Sequence, residues 1–412
     1  MKTLRVISKC LFFLMLILDI AVFSALFYLN DLIDEDFKIK KGGTLNINSP
    51  LPVTAVYNGT ELNASHTVEN DGSINVNLKM FGIIPFSTAN VSIVDEMQVM
   101  VLGQPFGMKL YTKGVLVVDI TDVVTDDGNK NPAKESGLCV GDYICSVEGQ
   151  KVSTNEDLVR LVESCHGGKL RFDINRDGKS QTLYITPVLS SDTGKHKIGV
   201  WVRDSSAGIG TLTFYSPSTD IICGLGHGVC DEDTGTLLEL ESGELVSAEI
   251  HDVKKGEKGT AGQLNGRLSN NVLGRIRLNC SGGVYALATG EISADNLTEV
   301  ALKNEVKNGN AQIYCTLSGD TPKLYDCKIS VKKSKLNSAT QNMVVTVTDE
   351  ELLGITGGIV QGLSGSPILQ NGKLVGAVTH VLLDDPTRGY GIFAENMLEN
   401  AQKAEQSLKK AS

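Results

Sequence analysis

Alternation of apolar and polar residues is the dominant pattern from residue 70 onward, and it predicts a mainly β protein. Residues 74–80 alternate strictly, and residues 312–316 and 345–347 look like further short strands. Three stretches differ: an apolar run over 10–29 and helical patterns over 155–165 and 395–408. The 43 glycines and the many Val, Ile and Thr residues also favour strands joined by turns.

The apolar run near the N-terminus is long enough to span a bilayer and is interrupted only by Asp19. Lys2, Arg5 and Lys9 precede it, which predicts a cytoplasmic N-terminus and an extracytoplasmic remainder. A cleavable signal peptide is the alternative. Because residues 23–25 form a poor small-x-small cleavage site, an uncleaved anchor is favoured.

Changes of pattern divide the 412 residues into four segments. Residues 1–30 form the cytoplasmic tip and anchor. The Asn-rich residues 31–95 are predicted to be a stalk and a small β segment, with the flexible stalk over 31–70 and strands over 74–80 and 89–94. Residues 96–190 form a compact α/β unit, and residues 191–412 contain many short β segments before a final helix.

A formal net charge of −10 without a basic stripe argues against nucleic-acid binding. No glycine-rich phosphate loop opens a helix, so no nucleotide cofactor is predicted. Eight of the nine cysteines follow the anchor, and this even number permits disulfides without indicating any pairing.

The clearest chemical signal is Gly362-Leu363-Ser364-Gly365-Ser366-Pro367, which places a small nucleophile on a glycine-rich turn. It is followed by two apolar runs around Asn371-Gly372, the signature of a β-hairpin. Ser364 is the predicted nucleophile. Ser366 is the rival, although the proline after it indicates the start of the next strand.

A serine nucleophile needs a base and an orienting acid. His227, within Gly224-Leu225-Gly226-His227-Gly228, is the predicted base, and His380 is the reserve base, the second candidate for this role. Asp349 ends an alternating strand 15 residues before Ser364 and is the predicted acid. The rival carboxylates are Asp231, Asp233, Asp384 and Asp385.

The remaining parts of a peptidase site are backbone groups. The N–H groups of Gly362 and Ser364 are predicted to form the oxyanion hole. The strand containing Thr379, His380 and Val381 is predicted to pair with the substrate backbone.

The compact unit over 96–190 resembles a PDZ domain of the bacterial protease-associated type. The resemblance is carried by the pattern P-A-x-x-x-G-L-x-x-G-D-x-I over 132–144 and by x-G-x-x-V before residue 153. It implies binding of an extended peptide whose carboxylate is held by a glycine-rich loop. That loop is predicted to be Gly103, Gln104, Pro105, Phe106 and Gly107. A degenerate PDZ domain that only packs on its neighbour is the alternative.

The region around Ser364 resembles the chymotrypsin-like clan, which implies two β-barrels followed here by a C-terminal helix. Leu363 stands where many secreted members of that clan have an aspartate, so activation by an ion pair with a new N-terminus is not expected. The order of anchor, PDZ domain, Gly226-His227-Gly228 and Gly357 to Pro367 resembles the stage IV sporulation protein B peptidase family. This resemblance assigns the triad to His227, Asp349 and Ser364.

The family resemblance implies a signalling serine endopeptidase of sporulation that requires no cofactor or metal. Such enzymes act in the forespore intermembrane space, cleave themselves and are released. They then cut a membrane-bound regulator of a membrane-embedded metalloprotease, which leads to sigma-factor activation. The implied partners are therefore protein substrates, including the chain itself, and the membrane.

Three alternatives remain open at the level of sequence. A quality-control protease shares the same parts, but there the PDZ domain follows the protease instead of preceding it. A peptide-binding scaffold with an inactive barrel is the second. The third is zinc binding through Cys223, His227 and Cys230, which supplies only three ligands at irregular spacing.

Overall fold

A computed structural model describes residues 2–411 except 34, 42, 44, 46, 48, 63–71, 291, 294 and 333–339. The predicted mainly β class is confirmed, with an N-terminal apolar helix, a PDZ domain and a barrel-rich C-terminal region that ends in a helix. The nine cysteines are free thiols in this structure.

The N-terminal helix α1 spans Lys2–Leu32. Its segment Ile7–Leu32 has a mean hydropathy of 2.6, so its length and composition suit a membrane span. A membrane anchor and a signal sequence both have these properties.

A five-stranded sheet follows α1, and it contains the strands predicted over 74–80 and 89–94. Its other three strands lie within residues 36–61, where the sequence predicted a flexible stalk. Alternating side chains such as Val76 and Leu78 bury one face, and the polar residues that suggested a stalk lie on the other. Ion pairs from Lys38 to Glu395 and from Lys40 to Glu305 fasten this sheet to the peptidase region. Its strands, in the order β1-β5-β4-β2-β3, are β1 Asp36–Lys40, β2 Val53–Tyr57, β3 Thr60–Glu61, β4 Gly72–Met80 and β5 Ile84–Val94.

Two long strands are shared between the PDZ domain and the first barrel. After β6 (Gln98–Val101), strand β7 runs without a break from Pro105 to Ile120. The second shared strand, which follows the PDZ domain in sequence, pairs antiparallel with β7 along almost its whole length. The first half of β7 belongs to the barrel and the second half to the PDZ domain, so the units predicted over 96–190 and 191–412 share this strand.

The PDZ domain packs two helices against a small sheet around Phe172, Ile144 and Val117. Helix α3 begins with a capping box formed by Thr154 and Asp157. The elements of the domain are β8 Val123–Thr125, β9 Gly128–Lys130, α2 Pro132–Glu135, β10 Tyr143–Val147, β11 Gln150–Lys151, α3 Asn155–Ser164, β12 Leu170–Arg176, β13 Lys179–Ile185, β14 Val188–Leu189 and β15 His196–Lys197.

The first barrel closes because β7 pairs with a strand on each side, giving the ring β7-β18-β19-β20-β17-β16. Its interior is filled by apolar side chains that include Phe106, Leu110 and Leu245. The hairpin of β18 and β19 extends from the barrel toward the second barrel. The strands are β16 Val200–Ser216, β17 Ile221–Gly224, β18 Leu240–Lys254, β19 Gln263–Cys280, β20 Gly283–Ala288 and the short β21 Thr298–Glu299.

The second barrel is closed by six strands in the order β22-β23-β24-β27-β26-β25. The predicted hairpin turn joins β25 to β26, and Asn371 and Gly372 both have positive φ, at 52° and 78°. The elements are β22 Gly309–Cys315, β23 Lys323–Val331, β24 Met343–Val347, α4 Glu350–Thr356, β25 Pro367–Gln370, β26 Lys373–Val381, β27 Arg388–Phe393 and α5 Ala394–Ala411.

Candidate active site

The glycine-rich turn that carries Ser364 lies at the junction of the two barrels. Helix α4 ends at Gly357, which has a left-handed conformation, and the chain then crosses to the start of β25. Gly365 has φ +95°, and a Cβ at this position would collide with the carbonyl oxygen of Thr211 on β16. The glycine after the nucleophile is therefore required by the contact between the barrels.

Ser364 and His227 line one cleft of about 410 Å³ between the barrels. His227 follows β17 of the first barrel, in a loop where Leu225 and Gly226 both have positive φ. The structure thus brings together the predicted nucleophile and the predicted base, which are 137 residues apart in sequence (364 − 227).

The hydrogen bonds of Ser364 and His227 define a resting arrangement. The Ser364 hydroxyl donates to the backbone carbonyl of Thr379 at 2.6 Å. Nδ1 of His227 lies 2.9 Å from the carbonyl oxygen of Gly228. Because a carbonyl can only accept, Nδ1 carries the hydrogen and Nε2 keeps the lone pair that a general base needs.

His380, the reserve base, packs on the His227 ring with their centroids 4.6 Å apart. It therefore covers one face of the His227 ring. The segment from Thr379 to Val381 continues β26 past Ala377, where pairing with β25 ends. Within this segment Val381 pairs with Gly389 of β27, and the Thr379 carbonyl accepts from Ser364, so pairing of the segment with a substrate backbone stays a prediction.

The peptide groups of residues 361–365 are held by hydrogen bonds at every carbonyl. Three carbonyls accept from backbone N–H groups: Gln361 O from Leu264 N at 2.8 Å, Leu363 O from Ser366 N at 3.0 Å, and Ser364 O from Thr211 N at 2.9 Å. The other two accept from threonine hydroxyls: Gly362 O from Thr211 Oγ1 and Gly365 O from Thr213 Oγ1, both at 2.7 Å.

Most N–H groups of the same loop are also engaged. Leu363 N donates to Val360 O and Gly365 N to Val378 O, at 3.1 and 2.8 Å. Within the described part of the chain, the N–H groups of Gly362 and Ser364 have no acceptor. These are the two donors that the sequence predicted for an oxyanion hole.

Asp349, the predicted acid, is not brought to His227 in this arrangement. It is the N-cap of α4, where its carboxylate accepts from Leu352 N at 3.0 Å and from Asp326 N at 3.2 Å. The hydrogen-bond partner of His227 Nδ1 is the Gly228 carbonyl instead. The role of Asp349 as the orienting acid stays a prediction.

The rival carboxylate Asp231 is committed elsewhere. It is buried and forms an ion pair with Arg203, and it also accepts from the backbone of Asp233 and Thr234.

Among the described residues, no group of three or more His, Cys, Asp or Glu side chains is arranged to hold a metal ion.

Thr211 and Thr213 are functional residues that sequence reasoning missed. Both are buried in β16 of the first barrel, and both hydroxyls donate to carbonyls of the Ser364 loop in the second barrel. No local motif marks them, because their partners lie about 150 residues further along the chain. Two buried threonines at alternate positions of a strand were the available signal.

The segment from Gly103 to Gly107 was predicted to bind a peptide carboxylate, and the structure corrects its placement. Gly103 lies between the barrels, where its N–H donates to Leu212 O and its carbonyl accepts from Thr316 Oγ1. Phe106 is fully buried in the first barrel. The backbone and side chains of this segment are thus used in joining and filling the barrels.

A groove with the features of a PDZ peptide site lies instead between α3 and Val200–Val202 of β16. It measures about 780 Å³. In the described chain, residues 200–204 pair only with β7 and so leave one strand edge open beside the helix. Trp201, the single tryptophan, is 65% exposed at this edge.

Burial lowers the pKa of His227 below its ordinary value of 6.5. The pKa of His380 is also lowered, by desolvation and by repulsion from a charged His227. Since a general base must be neutral, activity requires a pH above the His227 pKa.

We therefore expect the acid limb of the pH–rate profile to have its midpoint below 6.5, the ordinary histidine value. The measurement is the second-order rate constant for fluorophosphonate labelling from pH 4 to 8, which reports the free enzyme. A midpoint at or above 6.5 would contradict the resting arrangement and indicate that a carboxylate lies next to the imidazole already in the free enzyme.

Comparison with known proteins confirms the family resemblance. Residues 194–398 match the family model described as SpoIVB peptidase S55, and residues 101–186 match the PDZ domain model. A DegP-like periplasmic serine endoprotease of Pseudomonas putida is 28% identical over 217 residues, which cover 52% of this chain and 37% of that protein. Both the peptidase family and this relative support a serine peptidase.

Shorter matches involve proteins named as zinc metalloproteases. One from Brucella suis is 36% identical over 86 residues, which cover 20% of this chain, so the chain spans 23% of that relative's length. RasP of Geobacillus kaustophilus is 26% identical over 123 residues, covering 28% of this chain and 29% of that protein. A solved PDZ domain of an SdrC-like protein from Listeria monocytogenes has 22% identity and a TM-score of 0.18, covering 22% of this chain and 87% of that domain.

Proposed function

We propose that this PDZ-containing member of the SpoIVB peptidase family is a membrane-anchored signalling serine endopeptidase. The observation that carries the proposal is the Ser364 loop, in which every carbonyl of residues 361–365 is bonded. Within the described chain, the two amide groups beside the nucleophile, at Gly362 and Ser364, are without an acceptor. A loop held in this way is organised to bind the oxyanion of acyl transfer.

The proposed reaction starts when the Ser364 hydroxyl turns from Thr379 O to Nε2 of His227. Ser364 Oγ attacks the substrate carbonyl carbon while its proton passes to His227, and the resulting oxyanion accepts hydrogen bonds from Gly362 N and Ser364 N. When the C–N bond breaks, His227 gives the proton to the leaving amine. Water then hydrolyses the acyl-enzyme by the same route, and Asp349 is proposed to orient and stabilise the histidine.

The substrates are proposed to be proteins at a membrane surface. The support is the apolar helix α1, the PDZ domain and the match to a family of sporulation peptidases. In this proposal the enzyme cleaves itself near the N-terminus and is released. It then cuts the membrane-bound regulator of an intramembrane metalloprotease in the forespore intermembrane space, which activates a sigma factor.

A quality-control protease is the second candidate, and the similarity to the DegP-like endoprotease favours it. The order of units argues for signalling, since the PDZ match ends at residue 186 and the peptidase match begins at 194. A peptide-binding scaffold would need no free oxyanion donors beside a serine, so the Ser364 loop argues against it.

Fluorophosphonate labelling of the full chain, followed by peptide mapping, tests the catalytic proposal. We expect a single labelled residue, Ser364, because its hydroxyl shares a cleft with the His227 imidazole. Label at another serine, or none on folded protein, would contradict the catalytic proposal.

Co-expression with the membrane-bound regulator tests the signalling proposal. We expect a cut in the extracytoplasmic portion of the regulator, whereas indiscriminate cleavage of unfolded proteins would favour quality control.

A further inference from the structure

The direction of each oxyanion donor is set by the peptide group to which it belongs. In a planar trans peptide, the N–H of one residue points opposite to the carbonyl of the residue before it. The carbonyl of Gln361 therefore aims the N–H of Gly362, and the carbonyl of Leu363 aims the N–H of Ser364. Whatever holds these two carbonyls also orients the oxyanion hole.

Within the described chain, the hydrogen bonds to the carbonyl of Leu363 both come from Ser366. The Ser366 hydroxyl donates to it at 2.6 Å and the Ser366 N–H at 3.0 Å. Ser366 is 0% exposed, and its own carbonyl accepts from Val378 N at 2.9 Å, which fixes the residue against β26. A buried, doubly bonded contact of this kind leaves the peptide group between Leu363 and Ser364 little freedom to rotate.

The carbonyl of Gln361 is held by the β18–β19 hairpin of the first barrel. Leu264 N donates to it at 2.8 Å, while Gln361 N donates to Gly262 O at 2.9 Å. The Leu264 side chain also lies directly against Gly362. The two donors are therefore held by different barrels, and among the described residues Ser366 is the side chain that holds the carbonyl aiming the Ser364 N–H.

We propose that Ser366 is a positioning residue of the oxyanion hole, and that its hydroxyl aims the Ser364 N–H by holding the Leu363 carbonyl. This inference rests on the proposed serine peptidase function. It also gives a role to the serine that was the rival nucleophile. Ser366 is unsuited to attack a substrate, because it is fully buried and its hydroxyl is committed to a backbone acceptor.

The test measures fluorophosphonate inactivation of the full chain in wild type, Ser366→Ala and Ser216→Ala. Labelling forms a bond from Ser364 Oγ to phosphorus, expels fluoride and passes the hydroxyl proton to His227, while the phosphoryl oxygen occupies the oxyanion hole. Ser216 is a matched control, because it is also 0% exposed and its hydroxyl bonds only to Ser218 within the described chain.

Ser366→Ala should lower the maximal inactivation rate constant by about tenfold, since loss of a whole oxyanion donor costs about 100- to 1000-fold and here the donor stays but loses one of the two bonds that aim it. The reversible binding constant of the probe and the pH midpoint of the rate should stay unchanged, because neither depends on the oxyanion donor. Ser216→Ala should keep the wild-type rate. Ser366→Cys, with a similar volume and a weak donor, should fall between wild type and Ser366→Ala.

Four results would overturn the inference, and they separate it from the proposed function. A wild-type rate in Ser366→Ala with label on Ser364 would remove the positioning role and leave the peptidase proposal intact. Label on Ser366 itself would make it the nucleophile. An unlabelled wild type would overturn both proposals. A melting temperature lowered equally in Ser366→Ala and Ser216→Ala, with rates lowered equally too, would reduce Ser366 to a structural residue.

Discussion

Ser364→Ala should lower turnover of both self-cleavage and peptide hydrolysis by about 10⁵-fold or more, since removing a serine nucleophile disables the whole catalytic unit. The fold should be little affected. Ser364 is only partly buried, and the substitution removes a single hydrogen bond, to Thr379 O. A net loss of about 1 kcal/mol in the free energy of unfolding is expected from that bond.

The measurement is the rate of appearance of the self-cleaved form in membranes, alongside the melting temperature of the purified chain. Ser216→Ala is again the matched control, because it removes a buried serine hydroxyl away from the cleft and should leave self-cleavage unchanged. Self-cleavage at more than a hundredth of the wild-type rate in Ser364→Ala would require a different nucleophile.

The parts of the site that sequence could predict are those governed by local rules. The glycine-rich turn at Ser364 and the Asn371-Gly372 hairpin each depend on positive φ angles within a few residues, and the structure has both. The pairing of Ser364 with His227 in one cleft was predicted from chemistry, because a serine nucleophile needs a base. Composition was enough to indicate the mainly β class.

The parts that sequence could not predict depend on pairings between distant strands. The segment Gly103 to Gly107 has the composition of a carboxylate loop, yet β7 begins within it at Pro105 and pairs there with β16 and β18 more than 90 residues away. Likewise, three short strands within residues 36–61 lie in the segment predicted to be a flexible stalk, and they form by pairing with the strands over 72–94 further along the chain or with each other. Register between remote strands is a tertiary property, so no local pattern specifies it.

One strand connects the two units that the sequence separated. Strand β16 borders the α3 groove of the PDZ domain at Val200–Val202, and it holds the Ser364 loop at Thr211 and Thr213. At about 3.3 Å per residue, these two contacts are roughly 30 Å apart along a single strand. The PDZ domain is therefore continuous with the scaffold of the nucleophile and is not a separate module on a linker.

Asp349→Asn should lower the fluorophosphonate labelling rate by about 10³-fold or more if the carboxylate orients His227, as proposed. Asn and Asp are equally good N-caps, so the cap of α4 and the melting temperature should be retained. The proposed role requires an active arrangement in which the Asp349 carboxylate turns from Leu352 N and Asp326 N toward His227. The lower labelling rate of Asp349→Asn would then report the loss of the carboxylate charge alone.

Two further variants separate the charge of Asp349 from its capping function. Asp349→Ser also caps a helix without a charge, so it should lose activity as Asp349→Asn does. Asp385→Asn is the matched control, because Asp385 follows the nucleophile and its carboxylate accepts from Thr387 Oγ1. If Asp349→Asn labels within threefold of wild type, the Gly228 carbonyl is sufficient to fix the His227 tautomer and Asp349 acts only as the cap of α4.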